Sequence, residues 1–399
     1  MKYTLLYIYI AAGMLTMASC SNDDDAPVAS EPTKGLKIPE DALKPISWLS
    51  RAYSPEDIKA VEDDISAIRG AGYTYRDNAN YSVGTDMEVF NTRNLRNLEK
   101  KYMTSFLVDD YNPASDQQFF YSTSVKALKD SLALDIGIGF GAGMFSVDVD
   151  VAFNKKSFST QKSYYSMMRL KQSYFSRDLN YLNLRALVSN AVANSSVANT
   201  YVSIDADSLA KVVPLFKEVY APGFADVMQK FVRKVHSASS AYTASGYCRE
   251  FIEEIGSGFV KRSVLGCSLD YYNTTSMDSV SSSLDVKVAL ELSVQIKFVN
   301  IRTNISTDYK EAAEKCNRNS ESHITARGGD VSLVTAFTTG QEAKIDSLTL
   351  KKWQATVTPK DAALIDIRLV PIYEVIYDAK ARNILKSYMD KSLRNYEDD

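Results

Sequence analysis

The side chains able to do chemistry are few and scattered. The chain has two histidines, His236 and His323, and four cysteines, Cys20, Cys248, Cys267 and Cys316. That supply argues against a histidine-built metal centre and against a Ser-His triad. No CxxC spacing exists, and His323 is a lone histidine in a polar stretch. Asp148 and Asp150 share one face of an alternating segment, but no base-orienting partner accompanies them, so a solvated face explains them better than a catalytic pair. The run Gly137-Ile138-Gly139-Phe140-Gly141-Ala142-Gly143 looks like a dinucleotide loop, yet no amphipathic helix follows it. The residues therefore predict no enzyme, no cofactor and no metal.

What the sequence does contain is pattern. From Leu284 to Phe298 every second residue is apolar: Leu284, Val286, Val288, Leu290, Leu292, Val294, Ile296 and Phe298. Between them stand Asp285, Lys287, Ala289, Glu291, Ser293, Gln295 and Lys297. Period 2 places side chains on opposite faces of a strand, whereas a helix would scatter the same apolar residues around its circumference. The pattern predicts a strand over 284–298. A second alternation is split. Leu132, Leu134, Ile136, Ile138 and Phe140 are apolar, and after Gly141-Ala142-Gly143 the phase flips to Phe145, Val147, Val149, Val151 and Phe153. A glycine pair between opposite phases marks a bulge, kink or hairpin. Such two-faced segments suit a half-buried sheet, and equally the wall of a transmembrane barrel, which a tilted strand of roughly 9–11 residues can cross.

The flanking elements read as a folded domain behind an export signal. The chain is 399 residues long, with 46 basic and 49 acidic side chains and a net charge of -3, so nothing draws it to nucleic acid. Lys2 precedes an apolar run that ends in Met17-Ala18-Ser19-Cys20, the layout of a secretory signal too short to span a membrane as a mature helix. Small residues before Cys20 resemble the lipobox of bacterial lipoproteins. That resemblance implies a signal peptide over 1–19 and lipidation of Cys20. The following Ser21-Asn22-Asp23-Asp24-Asp25 resembles the surface-export signal of Bacteroidota lipoproteins. Residues 20–45 then read as a tether and 46–399 as one domain. With Cys20 lipidated, the remaining three cysteines allow at most one disulfide, and buried small hydrophobes are the expected role. Helices are expected from Ser54-Pro55, over 207–236 with a break near Ala221-Pro222-Gly223, and after Asp378, where Ala381, Ile384, Leu385, Tyr388 and Met389 fall on one face.

One stretch carries a family resemblance. Phe251 to Cys267 resembles the signature of the membrane-attack-complex/perforin (MACPF) family: Gly256, Ser257 and Phe259 occupy its Gly, Thr and second aromatic places, and Gly266 the first of its Gly pair. Ile255, Gly258 and Cys267 depart from that pattern. Gly70 to Tyr75, Arg327-Gly328-Gly329-Asp330, and Leu369 to Glu374 with the terminal helix resemble further family segments in the family's order.

The resemblance implies an α+β fold, a bent four-stranded antiparallel sheet flanked by helical clusters. It implies that Gly256, Gly258 and Gly266 lie near the bend. It implies that monomers form a ring on membrane lipids while the two clusters unfurl into barrel hairpins. Ile136, Ile138, Phe140, Phe145, Val147, Val149 and Val151 would then meet lipid from one hairpin region, and Val286, Val288, Leu290, Leu292, Val294, Ile296 and Phe298 from the other. In the soluble monomer these segments could be partly helical. The expected function is a pore-forming, membrane-damaging lipoprotein on the outer-membrane surface, with attack on competing bacteria as its use; whether it is released, and whether a surface receptor takes part, stay open. The alternative is a non-lytic surface lipoprotein that binds a glycan or a protein.

Overall fold

A computed structural model of the chain describes residues 70–75, 85–135, 162–279, 286–298, 307–318, 320–335 and 347–397, together with Ser54, Glu56 and Phe153. Cys20, the 1–45 segment, and residues 136–152 with all their expected lipid-facing positions lie outside the described residues. The strands are β1 (Tyr73–Tyr75), β2 (Thr85–Glu88), β3 (Leu107–Asp110), β4 (Ala114–Ser122), β5 (Ser163–Leu179), β6 (Gly258–Ser276), β7 (Ser320–Arg327) and β8 (Ala363–Pro371). The helices are α1 (Thr92–Tyr102), α2 (Val125–Asp135), α3 (Tyr181–Ala193), α4 (Ala206–Val212), α5 (Leu215–Val219), α6 (Pro222–Ser237), α7 (Ala241–Ile255), α8 (Val286–Phe298), α9 (Thr307–Arg318), α10 (Ser332–Thr335), α11 (Ser347–Thr356) and α12 (Ala379–Glu397).

All the strand pairings are antiparallel, and the sheet is four ranks wide over most of its length. β5 and β6, 17 and 19 residues long, form the two central ranks and pair from Ser163↔Ser276 to Asp178↔Arg262. At about 3.3 Å per residue, β6 runs roughly 60 Å. The outer rank beside β5 is β4 followed by β3; the outer rank beside β6 is β7 followed by β8. β1 joins β6 beyond the end of β5, and β2 joins β1.

The ranks are interrupted at one level. β4 stops pairing at Ser173 and β3 resumes at Ser176, with Pro113, which has no N–H for a ladder, in the gap. The β5–β6 register shifts between Ser173 and Phe175, and the β6–β8 register between Val264 and Leu265. β7 ends at Arg327 opposite Ser268, and β8 begins at Ala363 opposite Gly266. Bulges of this kind bend a strand and sharpen its twist. A line of them across the sheet is the structural basis of the expected bend.

Two apolar cores sit along the sheet. One packs α2, α8 and α11 on its middle, around Met167, Met168, Leu170, Leu269, Tyr271, Tyr272 and Trp353. The other lies where β5 ends and β6 begins, and gathers side chains from α1, α3 to α7 and α12 around Phe90, Phe216, Tyr220, Phe224 and Phe259. Within the first core stands a charged pair. Arg169 Nε and Nη2 donate to Asp270 Oδ1 and Oδ2 at 2.9 and 3.1 Å. Both side chains are at least 97% buried, and Arg327 Nη1 lies 3.6 Å from Asp270 Oδ2.

The helix expected from Ser54-Pro55 lies almost wholly outside the described residues; the other two expectations are met at their ends. Pro222 opens α6 after the break that follows α5. Asp378 caps α12, its Oδ1 accepting from the Ala381 amide at 2.6 Å. Its other oxygen accepts from Tyr201 Oη at 2.5 Å, and His236 Nε2 stands 3.1 Å from Oδ1, which ties α12 to the end of α6. His236 is thus a packing residue at a helix end. The strand that the pattern predicts over 284–298 is not what its described part forms: residues 286–298 are α8, the helical state that the family resemblance allowed for the soluble monomer. A helix satisfies its own backbone groups, whereas a lone fifteen-residue strand would need a partner along its whole length.

Candidate functional site

The motif residues fall in two places. Gly256 closes α7, its amide bonding Ile252 O at 2.7 Å, and the carbonyl of Ser257 accepts from the Ile372 amide at 2.8 Å. Gly258 opens β6, and Phe259 buries its ring edge-on against Phe90 and Tyr181, with centroids 6.1 and 5.2 Å away. This group joins the sheet to the helical core. Gly266 lies eight residues farther along β6, at the line of bulges.

There Gly266 and Gly328 meet. A Cβ on Gly266 would stand 2.0 Å from the carbonyl oxygen of Gln172, and a Cβ on Gly328 2.5 Å from that of Gly266. Gly328 also holds φ at +78°, where side chains are disfavoured. Its carbonyl accepts from Trp353 Nε1 at 2.9 Å, and the amide of Gly329 bonds Asp361 O at 2.8 Å, so α11 and the approach to β8 are tied to the same point. Lys171 of β5 lines the cleft beside the bend, and its Nζ reaches Asp366 of β8 at 2.9 Å and Asp116 of β4 at 3.7 Å. The two contacts join three strands across the irregular level.

The second component is the α8–α9 pair. α8 packs on β4 and β5, and α9 packs on α8 and β6. Along α8, Ala289, Leu290, Leu292, Ser293, Val294 and Gln295 are all buried, Val286, Val288 and Ile296 are half-buried, and Lys287 is exposed. Burial therefore runs around the whole helix, as the period-2 sequence requires when wound at 3.6 residues per turn. The cost is visible in its polar residues. Ser293 turns back to Leu290 O at 2.7 Å, Gln295 Oε1 is buried with no partner, and burial raises the carboxyl of Glu291 above its usual range. In a strand these polar groups would share one face and the apolar groups the other. The first hairpin region is described only at its ends: Leu132 is buried in α2, and Phe153 packs edge-on against Tyr165 and Tyr272 at 5.3 and 5.7 Å.

Cys248, Cys267 and Cys316 are buried thiols that form no disulfide. Burial pushes the thiols of Cys248 and Cys316 up to about 11 and that of Cys267 up to about 12. Such thiols are almost wholly protonated at neutral pH and serve as apolar filling. Among the described residues no group of His, Cys, Asp and Glu is arranged to hold a metal ion, and no helix is long and apolar enough to cross a membrane.

A long antiparallel sheet, interrupted across its ranks and carrying a helical pair of which α8 has a strand-like sequence, defines an α+β class in which helices lie against the sheet. The sequence model of the MAC/Perforin domain matches residues 146–399, more than half the chain, and the chain belongs to that family. In fold it is similar to the crystal structure of GNIP1Aa from Chromobacterium piscinae, with a TM-score of 0.54 and 14% identity over 83% of this chain and 56% of that one. A MAC/Perforin-domain structure from Bacteroides thetaiotaomicron VPI-5482 gives a TM-score of 0.49 and 14% identity over 81% of this chain and 60% of that one. The chain thus spans less than two-thirds of the length of either structure. A comparison with curated protein sequences returned no match.

Proposed function

We propose that the chain is a pore-forming surface lipoprotein, anchored through Cys20 on the outer membrane, that forms rings and inserts two hairpins per copy into a target bacterial membrane. The reading assigns it no catalytic chemistry. The observation that carries it is the register of the two central strands. Their ladder runs up to Ser163↔Ser276, and the Met277 amide continues it by bonding Lys162 O at 3.0 Å. Continued outward without a slip, the same register sets Phe153 opposite Val286, Val151 opposite Val288, Val149 opposite Leu290, Val147 opposite Leu292 and Phe145 opposite Val294. The apolar stripes of the two hairpin regions then lie side by side on one face. The other parity would set all but one of these apolar residues against a polar one, the exception meeting Ala289. Strands enter hydrocarbon only in a closed barrel, so ring assembly must accompany insertion. The mismatch between the sequence of α8 and its helical state supports the same reading, since conversion to a strand would sort its buried polar groups onto the aqueous face.

The test is dye release from vesicles containing lipopolysaccharide and phosphatidylethanolamine, with electron microscopy of the same membranes. The protein should release dye and form rings. Val288→Arg, half-buried in α8 but lipid-facing in the barrel, should cut release strongly, since a cationic side chain at the bilayer midplane costs about 2–4 kcal/mol per strand. Lys287→Gln should leave release intact. Release that ignores Val288→Arg, or rings that never leak, would remove the pore reading and favour the binding protein.

A further inference from the structure

Beside the bend, β6 and β8 hold two arginines in an arrangement that packing does not explain. Arg262 stands directly opposite Arg368 in the antiparallel register. Like charges in that position repel and weaken a sheet. Both line a cleft of about 210 Å³ that also receives Asp116, Lys171, Ser173 and Asp366. None of the neighbouring carboxylates forms an ion pair with either arginine. Asp366 and Asp116 are taken by Lys171, at 2.9 and 3.7 Å, and Asp178, opposite Arg262 on β5, is taken by Lys261 at 3.5 Å. Arg262 Nη2 donates to the neutral Ser176 Oγ at 3.0 Å, while its Nε is buried and has no acceptor. Arg368 is exposed at the mouth. Among the described residues neither arginine has an ion pair.

We propose that this cleft is a binding site for a tetrahedral oxyanion of the phosphate type, held between Arg262 and Arg368. Guanidinium groups match such anions through paired N–H donors, and an anion between them turns a repulsive cross-strand pair into a bridge. The Nε of Arg262, buried without an acceptor, shows that its guanidinium is not fully satisfied by the protein alone. The site spans the paired strands β6 and β8 just to one side of the level of the bulges, so an occupied cleft reinforces that pairing. The site uses neither hairpin region and stands whether or not the protein makes pores.

The phosphate could belong to a free solute or to a lipid headgroup, and the experiment separates them. The thermal midpoint of the purified protein is followed against inorganic phosphate and, separately, against dihexanoyl phosphatidic acid below its micelle concentration, each with sodium chloride at matched ionic strength as control. Phosphate should raise the midpoint saturably beyond chloride. Binding of both anions assigns the site to a phosphomonoester headgroup, and binding of inorganic phosphate alone assigns it to a free solute. Arg368→Gln, on an exposed residue, should weaken binding about tenfold or more, the loss of one charge-assisted pair. In anion-free buffer the same variant should raise the midpoint by relieving the repulsion. Arg262→Gln should also abolish the shift. The proposal falls if phosphate acts no differently from chloride, if both variants keep the full shift, or if Arg368→Gln lowers the midpoint without anion.

Discussion

Gly266 leaves room for a carbonyl oxygen and nothing larger. The atom that a Cβ would strike belongs to the backbone of β5, which cannot rotate aside as a side chain would. Gly266→Ala must therefore push the two central strands apart or abandon the bulge, at about 1–3 kcal/mol or more by the usual cost of overpacking. Urea unfolding of the variant reads this directly; a loss below about 0.5 kcal/mol, the ordinary scatter of a neutral surface change, would mean that the contact is not tight in solution. Legibility at this scale is uneven. The cap at Asp378 and the helix start at Pro222 are local events, and the sequence shows them because the relevant neighbours are three or four residues away. Gly266 and Gly328 are flagged by motif, but their mutual contact joins two points about sixty residues apart. The Arg262–Arg368 pair left no trace in the sequence, since only strand pairing across more than a hundred residues sets those two side by side.

At the scale of the element, α8 is where local pattern and tertiary setting disagree. Its alternation favours a strand, yet the monomer keeps it helical because packing on β4, β5 and α9 buries most of its circumference. Nothing within thirteen residues could have announced that choice. Glu291 makes the disagreement measurable. Burial raises its carboxyl, against a smaller pull from Lys287 in the opposite direction. A carboxyl with a folded pKa above its unfolded one is penalised when ionised. The penalty is absent below the unfolded pKa, grows between the two values and is complete above the folded one. α8 is therefore held more firmly in mild acid than at neutrality. Hydrogen exchange of its amides, corrected for intrinsic rates, should show stronger protection near about pH 5 than near about pH 7, and Glu291→Gln should erase the difference. Equal protection at both pH values in the unaltered protein would discard this account.

For the whole molecule, the two cores divide the labour. The helical core around Phe216, Tyr220 and Phe224 contains the long α6 and α12, pinned to each other through His236, Asp378 and Tyr201. The sheet core ends at α8, with its unsatisfied Gln295. Exchange should accordingly reveal two classes of amide: those of α6 and α12 opening only with global unfolding, and those of α8 and α9 opening by a cheaper local route. A single class throughout would contradict the division. The α+β architecture, the four-stranded antiparallel sheet and the order of the segments along the chain were readable from the family resemblance; the building of each outer rank from two short strands was not, because pairing between distant strands is not written in local periodicity. The buried Arg169–Asp270 pair has a consequence far from where it sits. Sliding one central strand past the other by a single residue would strand a carboxylate among apolar neighbours, at a cost of about 3–5 kcal/mol. It is a datum mark on a ruler: any residues that continue the ladder of β5 and β6 would inherit their inside and outside from a choice already made deep within the protein.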